Sequence, residues 1–256
     1  MQGKSRYHDT FVNSAVDRSA RVNFGICKRK GDFMNAVVFD MDGLMFDTER
    51  ICMQAWDYAG EKMGIGKAGY MVLKTLGMNY LETGEMWKRE FGERYDEQEL
   101  RRYSHEFTSG YYKENALPVK KGLYLLLDHL KNSGYKMAVA SSSQRSEIEE
   151  HLEDAGVSEY FQAIIGGDMI QRSKPDPEIY LKACEALGEV PGDCYALEDS
   201  KNGLLAAYRA GCTPLMVPDL WKPDDEILGI IAGKFDDLEK VKDYLEGSSN
   251  EIISRH

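Results

Sequence analysis

After residue 135 the sequence alternates between short apolar runs and longer segments with helical spacing. The runs KMAVAS, FQAIIGG, CYALED and TPLMVP are each followed by such a segment, and the earlier run AVVF has the same character. Because these runs lack alternating polar residues, the strands that they predict are buried on both faces. Repeated strand–helix units of this kind predict an α/β fold with a doubly wound parallel sheet, closed by a last helix over Phe235–Gly247.

The segment between the first strand and the second differs from the rest. Residues 49–118 show helical spacing, aromatic residues and glycine breaks, but no clear strand. The sequence therefore predicts a helical cap domain over 49–118, inserted into an α/β core formed by 34–48 and 119–256.

Residues 1–33 are polar and lack an apolar signal region. Since Arg29–Phe33 can be encoded by a purine-rich run like a ribosome-binding site, we expect Met34 to be the natural start and 1–33 an upstream extension.

Composition excludes several classes of function. The net charge of −11 disfavours non-specific binding to nucleic acid or to an anionic membrane, both of which need basic surface. The five cysteines lack metal or disulfide spacing, and the five histidines form no ligand pattern. No apolar segment approaches the roughly 18 residues of a membrane span. These features predict a cytoplasmic monomer that binds neither nucleic acid nor membrane.

Polar side chains follow the predicted strands where each strand ends. Ligands of open α/β sheets bind at this edge, beyond the carboxyl ends of the strands. The residues concerned are a carboxylate pair after the first strand, a serine cluster after the second, a lysine downstream of the third and an acidic pair after the fourth: Asp40 and Asp42, Ser141–Ser143, Lys174, and Glu198 with Asp199.

This set suits phosphoryl transfer. Asp40 and Asp199 offer the hard oxygen ligands that Mg²⁺ prefers, and Ser141 with Lys174 can hold phosphate oxygens. Asp40 can attack phosphorus to give an aspartyl-phosphate, while Asp42 can serve as general acid and later activate water. Each element alone is commonly structural: an acidic turn, a helix cap or a surface lysine. Their coincidence at successive strand ends favours the functional interpretation.

Four motifs in this order resemble the haloacid dehalogenase-like (HAD) hydrolase superfamily, in the branch with a helical cap that includes β-phosphoglucomutase and many small phosphatases. The motifs are FDMDGLMFDTE, VASSS, SKPDPEIY and LEDSKNGLLAAYRAG, within residues 36–217. The resemblance implies that Asp40 is the nucleophile and a Mg²⁺ ligand. It also implies that Asp42 is the general acid/base, with its backbone carbonyl on the metal.

The resemblance assigns further roles. Ser141 and Lys174 would bind the transferring phosphoryl group, and Ser142 would add a backbone N–H. Asp199 would be a metal ligand, and Glu198 either a ligand or a partner of one. Asp42 argues against dehalogenation, which has no leaving oxygen to protonate.

Two departures separate the chain from the mutases. Cys52 stands where a β-phosphoglucomutase carries a histidine, and Tyr80 stands where it carries an arginine for the second phosphate of the sugar. Loss of both groups makes it harder to hold two phosphates. Substrate contacts in the cap are predicted at Cys52, Asn79 and Tyr80, although most side chains on such an insert pack or face water.

The sequence thus predicts a phosphoric monoester hydrolase: a Mg²⁺-dependent phosphatase that hydrolyses a small phosphate monoester, a sugar phosphate or similar metabolite, through an aspartyl-phosphate on Asp40. Phosphoryl transfer of the β-phosphoglucomutase type is the alternative within the same class. A non-catalytic binding protein on the same scaffold is the alternative from another class, since a fold does not fix a function.

Overall fold

The computed structural model describes the backbone of residues 34–253 and the side chains of residues 34–247. The predicted extension, residues 1–33, lies outside the described residues. The described part contains one sheet with strands in the order β3-β2-β1-β4-β5-β6, and all neighbouring strands are parallel. The strands are β1 (Ala36–Phe39), β2 (Lys136–Ala140), β3 (Ala163–Ile165), β4 (Cys194–Glu198), β5 (Thr213–Met216) and β6 (Gly233–Lys234).

Helices connect these strands and cover both faces of the sheet. They are α1 (Thr48–Lys62), α2 (Met71–Thr75), α3 (Tyr80–Phe91), α4 (Glu97–Glu114), α5 (Leu123–Asn132), α6 (Arg145–Asp154), α7 (Glu178–Leu187), α8 (Lys201–Ala210), α9 (Asp225–Leu228) and α10 (Leu238–Ile253). No described helix combines the length and the apolar character needed to cross a membrane.

Alternate residues of β1 enter two separate cores. Val37 and Phe39 belong to the cluster formed with α5, α6 and α10, whereas Ala36 and Val38 belong to the cluster formed with α7 and α8. Successive side chains of a strand point to opposite faces, so a strand covered on both faces is apolar throughout. The predicted doubly wound parallel sheet is confirmed, and β1 lies inside it because its side chains have no polar face to present.

The C-terminal part differs from the prediction. The last helix was predicted over Phe235–Gly247 but runs from Leu238 to Ile253. Its start is later because the Phe235 N–H donates to Met216 O at 2.8 Å, and the Asp237 side chain accepts the Lys240 N–H at 3.0 Å as a cap does. Strand β6 and helix α9 were also missed, since two and four residues are too short to show a periodic pattern.

Helices α1–α4 form a helical insert between β1 and α5, without a strand among residues 48–114. Its centre is Trp87, which is fully buried and meets the ring of Trp56 edge-on at 5.1 Å. The other buried members of this cluster are Ala59, Ala68, Met71 and Leu100. The insert therefore has an apolar centre of its own, distinct from the two clusters that flank the sheet.

Helix α5 allows a matched test of the core that faces β1. Leu127 is fully buried, whereas Leu125 on the same helix is 54% exposed. Leu127→Ala should lower the free energy of unfolding by about 2–5 kcal/mol, because it leaves a cavity. Leu125→Ala should change it by less than about 0.5 kcal/mol. Urea unfolding of both variants measures the difference, and equal effects would contradict this packing.

Candidate active site

The strand register brings the predicted site residues to one edge of the sheet. Phe39 of β1 pairs with Val139 of β2 on one side and with Leu197 of β4 on the other. The residues that follow these three positions therefore leave the sheet at the same level. Asp40, Ser141 and Glu198 with Asp199 converge there, as the sequence predicted for the carboxyl ends of parallel strands.

Lys174 joins three of these strand ends. Its Nζ donates to Asp40 Oδ1 at 2.6 Å, to Glu198 Oε1 at 2.6 Å and to the backbone carbonyl of Ala140 at 3.0 Å. These three acceptors use all three protons of the ammonium group. Burial lowers the pKa of Lys174, but the attraction of Asp40 and Glu198 outweighs it and raises that pKa above its ordinary value. Lys174 is thus a fixed, buried cation beside Asp40.

Glu198 is surrounded by hydrogen-bond donors. Its Oε1 accepts the hydroxyl of Tyr180 at 2.8 Å in addition to Lys174. Its Oε2 accepts the Ser200 hydroxyl at 3.1 Å and the backbone N–H groups of Asp199 and Ser200 at 3.1 and 3.2 Å. Gly203 is required beside it, because a Cβ there would overlap the carboxylate. Both oxygens of Glu198 are therefore engaged in holding Lys174 and the start of α8.

Asp42 lies among hydroxyl groups. Its carboxylate accepts hydrogen bonds from Thr48 Oγ1 at 2.6 Å, Ser143 Oγ at 2.7 Å and Ser141 Oγ at 3.1 Å. Ser141 Oγ also accepts the backbone N–H of Ser143 at 3.1 Å. Asp42 is therefore held by the end of β2 and by the first residue of α1, and it is fixed on the same edge as Asp40.

Three carboxylates meet where a cation would be stabilised. One oxygen from each of Asp40, Glu198 and Asp199 lies within 4.8 Å of the others, and all three residues are buried. Burial raises the pKa of Asp40 well above its ordinary value, and Lys174 only partly opposes this effect. Burial, followed by the charges of Asp40 and Glu198, does the same to Asp199.

This donor set fits a divalent metal ion. The Asp199 side chain accepts no hydrogen bond from the described residues, so its oxygens are available as hard ligands. One oxygen of Asp40 is likewise not taken by Lys174. Glu198, by contrast, has donors on both oxygens, which favours the role of a partner over that of a ligand. The backbone carbonyl of Asp42 is the further ligand that the motif predicts.

Several groups around the site were not predicted. Tyr180 was part of the quoted segment SKPDPEIY, but its hydroxyl contact with Glu198 depends on how α7 packs on the sheet. Ser143 was only named within its cluster, and Thr48 was given no role. Asp219 lies just after β5, where the same strand-end rule would have found it.

The loop before α3 brings the insert against the core. Ser142 Oγ donates to Gly77 O at 2.9 Å, and Asn202 Nδ2 donates to Leu76 O at 3.1 Å. Ser173, next to Lys174, contacts the carboxylate of Glu82 on α3. These contacts connect the insert to two of the loops that carry site residues and to the first turn of α8.

The three residues predicted to meet substrate in the insert have other contacts. The Asn79 side chain caps α3 by accepting the Glu82 N–H at 3.0 Å. The Tyr80 hydroxyl donates to Glu97 at 2.6 Å, at the start of α4. Cys52 on α1 is half-buried, and burial raises the pKa of its thiol. Their substrate contacts remain predictions.

Known proteins resemble this chain in sequence and in fold. The family model for haloacid dehalogenase-like hydrolases matches residues 37–217, most of the described chain. The chain belongs to this family. The predicted family and the predicted enzyme, a phosphohydrolase of the HAD type, are confirmed, because the match covers the four motifs and relatives of similar length are named phosphatases.

Two relatives and one solved structure illustrate the similarity. The chain is 31% identical over 178 residues to the phosphorylated carbohydrates phosphatase of Thermotoga maritima, covering 70% of this chain and 82% of the relative. It is 31% identical over 187 residues to the β-phosphoglucomutase of Bacillus subtilis, covering 70% and 80%. The crystal structure of a β-phosphoglucomutase from Clostridium difficile aligns with a TM-score of 0.71 at 24% identity, covering 87% of this chain and all of that chain. This last likeness supports the fold alone.

Burial of Asp199 beside other carboxylates predicts that Asp199→Asn changes how the stability of the fold depends on pH. With its pKa raised in the folded state, Asp199 binds a proton that the unfolded chain releases near the ordinary aspartate value of about 3.9. The free energy of unfolding therefore falls as pH rises through the raised pKa. Asparagine has no proton to lose, so its stability does not fall in this way. The variant should therefore have a higher melting temperature than the wild type in EDTA at about pH 8. The gain should shrink toward about pH 5.

The control for this experiment is Asp236→Asn, an exposed aspartate. Each kcal/mol shifts the melting temperature by about 2–4 °C for a chain of this size. The control should show no pH-dependent gain. A variant at Asp199 that melts below the wild type at both pH values would show that this carboxylate stabilises the metal-free fold.

Proposed function

We propose that the protein is a Mg²⁺-dependent phosphatase that hydrolyses a small phosphate monoester, such as a sugar phosphate, through an aspartyl-phosphate on Asp40. The observation that carries the proposal is the position of Asp40, which has one oxygen 2.6 Å from Lys174 Nζ and one within 4.8 Å of an oxygen of Asp199. A nucleophilic carboxylate near both a fixed cation and a carboxylate free to hold a metal ion suits attack on a dianionic phosphoryl group.

The first step forms the covalent intermediate. An Asp40 oxygen attacks phosphorus, the bond from phosphorus to the ester oxygen breaks, and Asp42 gives its proton to that leaving oxygen. Lys174 supplies positive charge beside the phosphoryl oxygens, and the Ser141 hydroxyl can donate a hydrogen bond to one of them. Asp40, Asp199 and the carbonyl of Asp42 would hold Mg²⁺, which would supply further positive charge to the phosphoryl group.

The second step releases phosphate. Asp42 takes a proton from water as the water oxygen attacks phosphorus, and the bond between phosphorus and the Asp40 oxygen breaks. Asp40 is regenerated as a carboxylate, and Asp42 is protonated for the next turnover. The hydroxyls around Asp42 support both states, because a hydroxyl can donate to a carboxylate and accept from a carboxylic acid.

The helical insert serves in this proposal as a cap, residues 49–118, over a core of 34–48 and 119–256. Its contacts through Gly77 and Leu76 reach the loop after β2 and the first turn of α8. A cap in this position limits the entry of water to the site. Water must stay out until the leaving group has departed and the covalent phosphoenzyme has formed.

A phosphatase is favoured over a mutase by the charges near the cleft. Arg50 is paired with Asp47 and Asp219, and Lys74 is paired with Glu90. These cations of the insert are already neutralised, and neither Cys52 nor Tyr80 supplies a positive charge for a second phosphate. The T. maritima relative is named for phosphorylated carbohydrates, which suggests the substrate class. The four described cysteines are free thiols, in keeping with the reducing compartment that a cytoplasmic location would provide.

A phosphate-ester panel tests the reaction type. Purified protein with Mg²⁺ should release inorganic phosphate from one or more sugar phosphates. From β-glucose 1-phosphate it should form phosphate, not glucose 6-phosphate; the opposite result would identify a mutase. Absence of turnover on the whole panel would favour a binding protein.

Asp40→Asn tests the nucleophile. The variant should keep its fold but lose turnover by about 10³-fold or more, since an amide cannot form the covalent intermediate. Steady-state phosphate release measures the loss, and thermal melting checks folding. The exposed Asp236→Asn variant serves as control. Activity within tenfold of the wild type would remove Asp40 from this role.

Asp42→Asn separates the two steps. With p-nitrophenyl phosphate, whose leaving group needs little protonation, the variant should still form the phosphoenzyme but hydrolyse it about 10²–10⁴-fold more slowly. Acid quenching should then trap labelled protein. With a sugar phosphate the first step is slowed as well, so little label should accumulate. Equal trapping from both substrates would argue against a general acid at this position.

A further inference from the structure

Asp219 is a buried carboxylate for which the proposed mechanism has no role. It follows β5 by three residues, and its side chain is 4% exposed. Two cations share its Oδ1: Arg50 Nη1 at 2.6 Å and Lys120 Nζ at 2.7 Å. Arg50 stands in the first turn of α1 and Lys120 just before α5, so both connections between the insert and the core contribute a cation. The orientation of Asp219 is thereby fixed.

The other oxygen, Oδ2, is buried and has no hydrogen-bond partner among the described residues. It lies 3.4 Å from the point where a side chain on Gly43 would begin. The same point is so close to Asp199 Oδ2 that no Cβ could occupy it, and Gly43 has a φ of +82° that favours glycine. Oxygens of Asp199 and Asp219 thus converge on the side of Gly43 that lacks a Cβ, and among the described residues neither oxygen accepts a hydrogen bond.

A buried carboxylate oxygen without a donor is unfavourable unless water or a cation satisfies it. A metal ion held by Asp40 and Asp199 offers both, because Mg²⁺ in proteins usually keeps several of its waters. Outer partners of this kind commonly tune metal affinity about 10–100-fold. Asp199 and Asp219 therefore have the placement expected of an inner ligand and an outer acceptor around one ion.

We propose that Asp219 is a positioning residue of the metal site: its Oδ2 accepts a hydrogen bond from a water bound to the ion that Asp40 and Asp199 hold. This inference rests on the proposed metal dependence. Arg50 and Lys120 hold Oδ1, so that Oδ2 faces the water. The metal site is consequently connected to both segments that link the core and the insert, through Arg50 on one and Lys120 on the other.

Mn²⁺ binding to the full chain, without substrate, tests the proposal. Electron paramagnetic resonance of free Mn²⁺ gives the dissociation constant directly and needs no turnover. Asp219→Asn and Asp219→Leu remove the same charge, but only leucine removes the acceptor. Asp219→Leu should raise the dissociation constant of Mn²⁺ about 10–100-fold. Asp219→Asn should raise it by a factor at least roughly threefold smaller, because its amide oxygen can still accept a hydrogen bond from water.

The matched control is Asp225→Asn, an exposed aspartate in the segment after β5, which should bind Mn²⁺ as the wild type does. Equal weakening by asparagine and leucine would show that only charge matters and would overturn the proposal, as would no weakening by either. Melting in EDTA confirms that each variant is folded. Should the leucine variant not fold, water-proton relaxation is measured for Mn²⁺ bound to the asparagine variant. Exchange of the bound water at the wild-type rate would then overturn the proposal.

Failure of the proposed function would look different. In that case wild-type protein would bind no Mn²⁺, or Asp199→Asn would bind it as tightly as the wild type. Either result would remove the metal site itself, and the inference on Asp219 with it. Binding that requires Asp199 but ignores Asp219 would leave the proposed function intact and reject the inference alone.

Discussion

The buried ion cluster of Lys174 with Asp40 and Glu198 is the interaction on which the site depends. Its two ion-pair distances of 2.6 Å join the ends of β1 and β4 through a residue that arrives from the loop after β3. Removing charges from water is unfavourable, and such a cluster persists only where geometry and additional hydrogen bonds compensate. Here the additional bonds come from Ala140, Tyr180 and the start of α8. The arrangement is therefore a product of the whole sheet edge, not of any one motif.

Residues next to the proposed phosphate ligands contact the insert. Ser173 precedes Lys174 and contacts Glu82 of the insert, while Ser142 follows Ser141 and contacts Gly77. Each residue proposed to bind the phosphoryl group thus has a chain neighbour that touches the insert. A change in the position of the insert would reach these loops through hydrogen bonds one residue away from the proposed phosphate ligands.

Sequence reasoning was most successful where the backbone alone determines position. Parallel strands end at one edge, so the residues after them had to meet, and Asp40, Ser141, Lys174 and Glu198 do so. It was less successful where position depends on how elements pack. The contact of Tyr180 with Glu198 requires the tilt of α7 on the sheet, and the Tyr80 contact with Glu97 requires the packing of α3 on α4. Strand β6 was invisible because two residues carry no pattern.

Adjacent acids in the fourth motif show why a motif does not by itself assign roles. Glu198 is the last residue of β4, and Asp199 follows it in the bend before α8. Glu198 turns inward and receives donors on both oxygens, whereas Asp199 receives none from the described residues and faces the space above Gly43. A carboxylate saturated with donors serves best as a support for Lys174, and one without donors serves best as a ligand. The different roles proposed for the two acids follow from these surroundings: Glu198 is the last residue of β4, whereas Asp199 stands in the bend that follows it.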